Sequence, residues 1–209
     1  MIHRYIKEND ENEFQTIFRP SIEINTMPWK SVNGPEHIAA AELKYDSENF
    51  YIRMRAYEKS SSLLSHRQQF GDPVCRDSCL EFFFAPIAGS NKYFNFEVNP
   101  ACAFYIGFSE DGTRNGNRLL SELVSETDCF QASTRIKKAF WEVYYRIPFS
   151  FIRRYAPDFK TPGKGDVLRC NFYTCCDDAP EPYYSVWHNI TSPHPDYHRP
   201  DCFGSLIFE

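Results

Sequence analysis

Apolar and polar residues alternate along much of this chain in short runs that are typical of β-strands. In residues 93–99 (YFNFEVN), Phe94, Phe96 and Val98 share one face, and polar residues occupy the other. Because side chains point alternately to the two faces of a strand, this pattern predicts one buried and one polar face. Residues 79–85 (CLEFFFA) are apolar almost throughout, which predicts a central strand.

Two pairs of neighbouring runs predict hairpins. Residues 39–46 and 49–57 flank the turn-forming residues 46–49 (DSEN), so they are expected to pair as antiparallel strands. In the second of these runs, alternate apolar residues again fall on one face. Residues 130–134 are expected to pair with residues 140–147 in the same way.

Pro148 is expected to end the strand that precedes it, and residues 149–155 predict one short helix. Further strands are expected at residues 101–108, 165–176, 183–187 and 204–209. About ten strands with this spacing predict an all-β fold, an antiparallel β-sandwich that forms a single domain over residues 1–209.

Composition agrees with this fold class and limits the partners. Aromatic residues make up 17% of the 209 residues, which favours strands and a thick core. The net charge is −5 without a basic cluster, so no nucleic-acid partner is expected. No apolar run approaches the roughly 20 residues of a membrane span, so no membrane partner is expected either. Residues 1–10 have no apolar signal-peptide core, which predicts a cytoplasmic location.

Eight cysteines could form disulfides, hold a metal ion or remain as buried thiols. Cys75 and Cys79 are four residues apart, and Cys175 and Cys176 are adjacent, so neither pair has the spacing of a structural zinc site. Without a secretory signal, the thiols are expected to stay reduced. Buried free thiols are therefore the favoured interpretation, and no cofactor is expected.

The C-terminal forty residues place a large flat side chain beside planar polar groups. Trp187 follows an aromatic strand and precedes a proline- and histidine-rich loop, residues 193–200 (PHPDYHRP). A flat ring flanked by hydrogen-bonding groups suits a sugar, whose faces are C–H and whose rim is hydroxyl. The alternative is that Trp187 belongs to the hydrophobic core.

Three other groupings have a functional and a structural interpretation. Asp77 and Glu81 would share a strand face. They could be the acid and nucleophile of a glycoside hydrolase or lyase, at least one of them could bind a ligand, or one could pair with Arg76. His194 and His198 could bind zinc, although the prolines around them favour a packed loop. Residues 111–117 weakly resemble a calcium loop, but the ligand pattern is incomplete and favours a plain turn.

Several motifs, in order, resemble family 9 carbohydrate-binding modules. Residues 77–83 (DSCLEFF) are similar to a D-S-hydrophobic-E-hydrophobic-F strand of that family, and residues 93–99 to its next strand. Residues 141–148 resemble its W-x5-I-P strand. The C-terminal block of the family is matched by Asn171-Phe172-Tyr173, by Trp187 and by residues 203–206 (FGSL). The resemblance covers residues 38–209.

The resemblance implies a DOMON-like β-sandwich without catalytic activity that binds a mono- or oligosaccharide. Family members often hold the reducing end of a sugar between two aromatic side chains. Trp187 matches one of these and Glu81 matches an acid of the site, whereas Cys75 stands where the second aromatic is expected. An interaction domain with a vestigial sugar site is a further alternative. The residues expected to bind the ligand are Trp187, Glu81, Arg76, Asp77, Asn95, Glu97, Asn99, Asn171, Tyr173 and His188.

Overall fold

The computed structural model describes residues 3–4, 17–30, 32, 34 and 36–209. Among these residues it has thirteen strands and one α-helix. The strands are β1 (His3–Arg4), β2 (Ile22–Ile24), β3 (Ala39–Tyr45), β4 (Asn49–Ala56), β5 (Cys79–Ala85), β6 (Tyr93–Val98), β7 (Phe104–Ser109), β8 (Asn117–Leu119), β9 (Ser133–Lys137), β10 (Phe140–Pro148), β11 (Val167–Cys176), β12 (Tyr183–Val186) and β13 (Gly204–Ile207); the helix is α1 (Phe149–Tyr155). Residues 1–10, which are expected to carry no secretory signal, lie outside the described part of the chain except for His3–Arg4.

The strands form two stacked sheets, as the alternating pattern predicts. One sheet has the order β1–β3–β4–β10–β9, with β2 paired to β3. The other has the order β12–β11–β5–β6–β7–β8, with β13 paired to β11. All pairings are antiparallel except β1 with β3. The predicted antiparallel β-sandwich is therefore confirmed, including the hairpin β3–β4. The strand that pairs with β10 is β9 (Ser133–Lys137) and not the expected residues 130–134, because residues 127–130 form a 3-10 turn.

Aromatic side chains fill the space between the two sheets. Phe94, Phe96 and Val98 of β6 are fully buried there, on the face that the alternation assigns to them. Phe84 stacks on Phe94 with 5.3 Å between ring centroids, and the ring of Phe50 from the opposite sheet meets the ring of Phe84 edge-on at 5.9 Å. Full burial of each such side chain contributes about 1.5–3 kcal/mol, so the core dominates the stability of the sandwich.

Strand β7 begins later than the sequence predicts. The strand expected at residues 101–108 starts at Phe104, because a tight turn occupies the residues before it. The backbone N–H of Cys102 donates to the carbonyl of Asn99 at 2.9 Å, and Cys102 adopts a positive φ of 62°. The side chain of Asn99 stabilises the same turn by accepting from the N–H of Ala103 at 3.0 Å.

A second, smaller aromatic cluster lies on the outer face of the seven-stranded sheet. The loop between β12 and β13 crosses this face, and the ring of Tyr197 stacks on that of Tyr173 with centroids 4.1 Å apart. His198 in the same loop lies over Phe83, with 5.2 Å between ring centroids. The predicted packed loop is thus confirmed, and it covers only part of the outer face.

Candidate functional site

The uncovered part of this outer face forms a pocket. The pocket encloses about 450 Å³, counted with its open mouth, and lies beside the loop between β12 and β13. It is lined by residues of the turn before β5, of strands β5, β6, β11 and β12, and of the connections β7–β8, β11–β12 and β12–β13: Cys75, Glu81, Glu97, Arg114, Cys175, Asp177, Tyr184, Pro195, Asp196, Tyr197 and His198. The sandwich provides a rigid floor, and the loops form the walls.

Two glutamates form the centre of the floor. Glu81 on β5 and Glu97 on β6 are directly opposite each other in the antiparallel register, and both are buried. The amide of Asn95 donates to Glu97 Oε1 at 2.8 Å, and Asn95 Oδ1 accepts from the amide of Asn117 at 2.7 Å. The thiol of Cys175 donates to Glu81 Oε1 at 3.0 Å. These contacts hold both carboxyl groups in place before any ligand binds.

Burial and the repulsion between the two carboxylates raise the pKa of this pair, so both groups hold their protons to a higher pH than ordinary carboxyls do. Burial, with the charge of Glu97 as the next cause, raises the pKa of Glu81 well above its usual value. Burial likewise raises the pKa of Glu97 to about 7. Within the described part of the chain, Glu81 has no ion pair with Lys or Arg. A protonated carboxyl both donates and accepts, which suits a ligand that carries hydroxyl groups.

One wall of the pocket is aromatic and fixed in place. The ring of Tyr184 meets the ring of Trp29 edge-on, with centroids 6.2 Å apart. Trp29 also packs against Tyr197 at 5.9 Å, and its indole N–H donates to the carbonyl of Ser192 at 2.8 Å. Tyr184 therefore presents a pre-positioned ring at the pocket wall, at little cost in side-chain entropy on binding.

The rim of the pocket carries charges of both signs. Arg114 forms an ion pair with Asp196 at 2.8 Å while its side chain stays 62% exposed, and Asp177 is exposed nearby. His198 shares a hydrogen bond of 2.8 Å between its Nδ1 and the hydroxyl of Tyr93. Burial lowers the pKa of His198 to about 4, so its ring is neutral near pH 7. The rim thus offers a cation, carboxylates and a neutral imidazole to a polar ligand.

The structure places Trp187 away from this pocket. Its ring meets Phe172 edge-on with centroids 6.0 Å apart, and Phe172 faces the core between the sheets. The indole lies against Gly204, where a Cβ would stand only 2.7 Å from Cζ3 of the ring. Glu81 and Glu97 face the opposite side of the sheet. The two parts of the expected site, Trp187 and the glutamates, are therefore not brought together.

Three further predicted site residues have other partners. The carboxylate of Asp77 accepts from the guanidinium of Arg67 at 2.9 Å and from the amide of Asn99 at 2.9 Å. Arg76, which the sequence suggested as a partner of Asp77 or Glu81, pairs instead with Asp178 at 3.0 Å. These contacts tie the segment before β5 to its neighbours, and none of the three lines the pocket.

The remaining predicted residues support the loop that follows β12. The side chain of Asn171 donates to the carbonyl of His188 at 2.8 Å and accepts from its N–H at 2.9 Å. His188 itself is exposed, with its Nδ1 2.9 Å from the carbonyl of Cys202. Tyr173 is buried beneath Tyr197 and donates to the carbonyl of that residue at 3.2 Å. Of the expected set, Glu81 and Glu97 line the pocket, and Asn95 positions Glu97.

Several pocket residues were not predicted, because distant loops supply them. Arg114 and Asp196 lie 82 residues apart in the sequence, and Asp177 and Tyr184 flank the turn between β11 and β12. The resemblance did point to Cys75 as the occupant of an expected aromatic position, and Cys75 lines the pocket. Tyr184 had a weaker signal, since it immediately precedes Ser185-Val186-Trp187 in an aromatic strand.

The two suggested metal loops are engaged in their own contacts. The carboxylate Oδ1 of Asp111 accepts from the N–H and hydroxyl of Thr113, each at 2.8 Å, as in a plain turn. His198 lies over Phe83, and its Nδ1 contacts Tyr93.

None of the described helices combines the length and the hydropathy that a membrane span requires.

The fold resembles solved structures of other proteins. One is a Bacteroides uniformis protein described as a candidate carbohydrate-binding protein (24% identity, 90% of this chain and 85% of that chain, TM-score 0.71). Two are family 9 carbohydrate-binding modules from Caldicellulosiruptor kristjanssonii. The complex with glucose has 14% identity, covers 92% of each chain and has a TM-score of 0.55. The complex with cellotriose has 15% identity, covers 100% of this chain and 93% of that chain, and has a TM-score of 0.59.

Sequence comparison is more specific about the family. No curated protein matches the chain significantly. The model of carbohydrate-binding family 9 matches residues 20–208, nearly the whole chain, and this agrees with the resemblance of its strand motifs. The protein therefore belongs to carbohydrate-binding family 9.

Proposed function

We propose that this protein is a non-catalytic carbohydrate-binding module that holds a mono- or oligosaccharide in the pocket over Glu81 and Glu97. Membership of family 9 supports the class of ligand, and two solved members were crystallised with glucose and with cellotriose. The pocket is small, with a floor formed by the sheet and loops around an open mouth. This shape favours a single sugar ring or a chain end over a long stretch of polymer.

The observation that carries the proposal is the buried carboxyl pair at the bottom of an open pocket. Glu81 and Glu97 are adjacent, buried and held by Cys175 and Asn95, yet both remain on the pocket surface. Buried carboxyls without a cation are costly unless they gain hydrogen bonds. Sugar hydroxyls both donate and accept, so they can satisfy a pair in either protonation state.

Tyr184 supplies the apolar surface in this proposal. One face of a pyranose ring is largely C–H, and such a face is stabilised by desolvation against an aromatic ring. Tyr184 lies in the pocket wall with its ring supported by Trp29, whereas Trp187 packs against Phe172. We therefore place the stacking role on Tyr184, and expect Arg114 and Asp177 to reach hydroxyls at the sugar rim.

A hydrolytic role for Asp77 and Glu81 is less well supported. A glycosidase needs two carboxyl groups that both reach the scissile bond. The carboxylate of Asp77 accepts from Arg67 and Asn99 and does not line the pocket. Asp77 and Glu81 are therefore not placed to act together, and membership of family 9 favours binding without turnover.

Isothermal titration calorimetry with glucose and cellotriose tests the proposal. We expect wild-type protein to bind at least one of them, and Tyr184→Ala to weaken binding roughly tenfold, the effect of losing a partly buried aromatic contact. Glu81→Gln is expected to weaken binding less, because the amide keeps one acceptor. Tyr57→Ala serves as the matched control, since Tyr57 is 49% exposed and does not line the pocket.

Two results would overturn the proposal. One is equal affinity of Tyr184→Ala and wild-type protein for the sugar, with both variants folded by circular dichroism. The other is release of reducing sugar from cellotriose by wild-type protein, which would show turnover. Loss of binding in Tyr57→Ala as well as Tyr184→Ala would show a general loss of structure instead of a local contact.

A further inference from the structure

Two cysteines and a glutamate meet at the bottom of the pocket. Cys79 on β5 and Cys175 on β11 are directly opposite each other in the antiparallel register. The two thiol sulfurs and one carboxylate oxygen of Glu81 all lie within 4.8 Å of one another, and all three side chains are buried. The sequence separates these cysteines by 96 positions, so their spacing gave no sign of this cluster.

The spacing of these three atoms is close to that of a tetrahedral metal centre. With Zn–S of about 2.3 Å and Zn–O of about 2.0 Å, tetrahedral ligands stand about 3.8 Å apart between sulfurs and about 3.5 Å apart between sulfur and oxygen. The Sγ of Cys175 already lies 3.0 Å from Oε1 of Glu81. A bound ion therefore requires side-chain adjustments of about 1 Å or less, without a change of backbone.

The charge of the cluster also favours a cation. Glu97 lies opposite Glu81, and Asp177 is on the same pocket surface. Among the described residues no Lys or Arg forms an ion pair with Glu81. Arg114, the basic residue of the pocket lining, pairs with Asp196. Two thiolates and one carboxylate would carry a charge of −3, which a divalent cation offsets in large part.

The pocket provides the route by which an ion could reach the cluster. Cys175 and Glu81 line the pocket, and Cys79 lies beside Cys175 on the neighbouring strand, so the pocket leads to the cluster. All eight cysteines are free thiols, so both sulfurs are available. We propose that Cys79, Cys175 and Glu81 form a site for a thiophilic divalent cation such as Zn²⁺, with the fourth coordination position open to the pocket.

Metal binding must displace the protons of this cluster. Burial raises the pKa of Cys79 to about 12, and the hydrogen bond with Cys79 together with burial raises that of Cys175. Coordination requires the thiolate form, so binding releases protons and the affinity increases with pH. The proposal does not depend on sugar binding, which is measured separately in the presence of a chelator.

Titration of the full chain with Co²⁺ and Zn²⁺ after chelator treatment tests the site. We expect one Co²⁺ per chain with the sulfur-to-cobalt charge-transfer absorption of a thiolate complex, and displacement by Zn²⁺. Cys79→Ala and Cys175→Ala should each lower Zn²⁺ affinity by at least about 10–100-fold. That is the typical cost of changing a residue that only contacts a metal ligand, and here a ligand itself is lost. Cys170→Ala is the matched control, because Cys170 is buried on the same strand but faces the inner core.

A variant that retains both thiols makes the test independent of cysteine loss. Glu81→Gln keeps the side-chain volume, and we expect it to bind Zn²⁺ more weakly while melting cooperatively without metal. Zn²⁺ should raise the melting temperature of wild-type protein and of Cys170→Ala, but not of Cys79→Ala or Cys175→Ala. Equal uptake by all variants, or Co²⁺ binding without charge-transfer absorption, would overturn the site.

Discussion

Glu142 on the six-stranded sheet and Glu81 on the seven-stranded sheet are both buried on the outer faces of their sheets, at 5% and 2% exposure. Glu142 accepts hydrogen bonds from Arg53 at 3.1 Å and from Arg55 at 2.7 Å, and it also pairs with Arg135. Although burial opposes ionisation, the two hydrogen-bonded arginines lower the pKa of Glu142 overall. Glu81 instead faces the second carboxyl of Glu97, and its pKa is raised.

The comparison separates a structural carboxylate from one that is open to a ligand. Around Glu142 the protein supplies the opposite charge itself, so the cluster is complete without a ligand. At Glu81 and Glu97 the protein supplies burial and hydrogen bonds, but among the described residues no Lys or Arg forms an ion pair with either carboxyl; Arg114 acts on Glu97 only through its charge. Perturbed carboxyls in a pocket are common at binding sites, and the Glu142 cluster shows how this same fold satisfies a carboxylate when no pocket is needed.

The largest effect is expected from breaking the complete cluster. Glu142→Gln removes the carboxylate that accepts two hydrogen bonds from Arg53, which is 1% exposed. Removing one partner of a buried ion pair typically costs about 3–5 kcal/mol, so the free energy of unfolding should fall by that amount. Urea denaturation measures it. Arg135→Gln, at a side chain 45% exposed, should cost less than about 1 kcal/mol.

Sugar affinity provides the second half of this test. Glu142 and the pocket lie on different sheets, so folded Glu142→Gln protein should bind glucose as wild-type protein does. A stability change of under 1 kcal/mol would show that the arginines do not depend on Glu142, and would remove the contrast between the two sheets.

A second prediction concerns the pH dependence of stability. The folded pKa of Glu97, about 7, exceeds its usual value of 4.5, so the folded state holds a proton that the unfolded chain releases. Its contribution to stability is therefore complete below pH 4.5 and is lost as the pH rises towards 7, a decrease on the order of 3 kcal/mol. Glu97→Gln should make the decrease smaller without abolishing it, because the pKa of Glu81 is raised as well, when unfolding is measured from pH 4.5 to 8 in metal-free buffer.

The control for the pH experiment is the opposite sheet. Glu142 has a lowered pKa, so its stabilisation is present above the usual pKa and is lost as the pH falls through the lowered value. The difference in the free energy of unfolding between wild type and Glu142→Gln should therefore change with pH only below pH 4.5. The corresponding difference for Glu97→Gln should change above pH 4.5. Identical difference curves would mean that the two environments do not differ as described.

The strands were predictable because the alternation of apolar and polar residues within each strand indicates which of its faces is buried. The hairpin β3–β4, the apolar strand β5 and the helix after Pro148 all follow from patterns within about ten residues. The alternation in β6 also assigned Asn95 and Glu97 to the outer face correctly. The start of β7 was missed because the turn at Cys102 depends on a side chain, that of Asn99, which the apolar pattern does not report.

The pocket was predictable only in part, since its shape arises from contacts between distant segments. Family resemblance identified Glu81, and alternation assigned Glu97 to the polar face of its strand; the register of β5 and β6 brings the two together. The family resemblance also assigned the stacking ring to Trp187. In the structure, Tyr184 lies in the pocket wall and Trp187 packs against Phe172. Neighbouring residues of a strand point to opposite sides, so a local pattern alone does not tell which aromatic reaches the ligand.

The smallest effect is expected from Trp187, and it decides between the two aromatic residues. Trp187→Ala should lower the free energy of unfolding by about 2 kcal/mol, less than for a fully buried tryptophan, because the ring is only partly buried against Phe172 and Gly204. Its glucose affinity, measured by calorimetry on folded protein, should remain that of wild type. Tyr184→Ala should show the reverse, a weaker affinity with a smaller change in stability. A Trp187→Ala protein that melts normally but no longer binds glucose would return the stacking role to Trp187, because a core contact between Trp187 and Phe172 cannot be removed without a cost in stability.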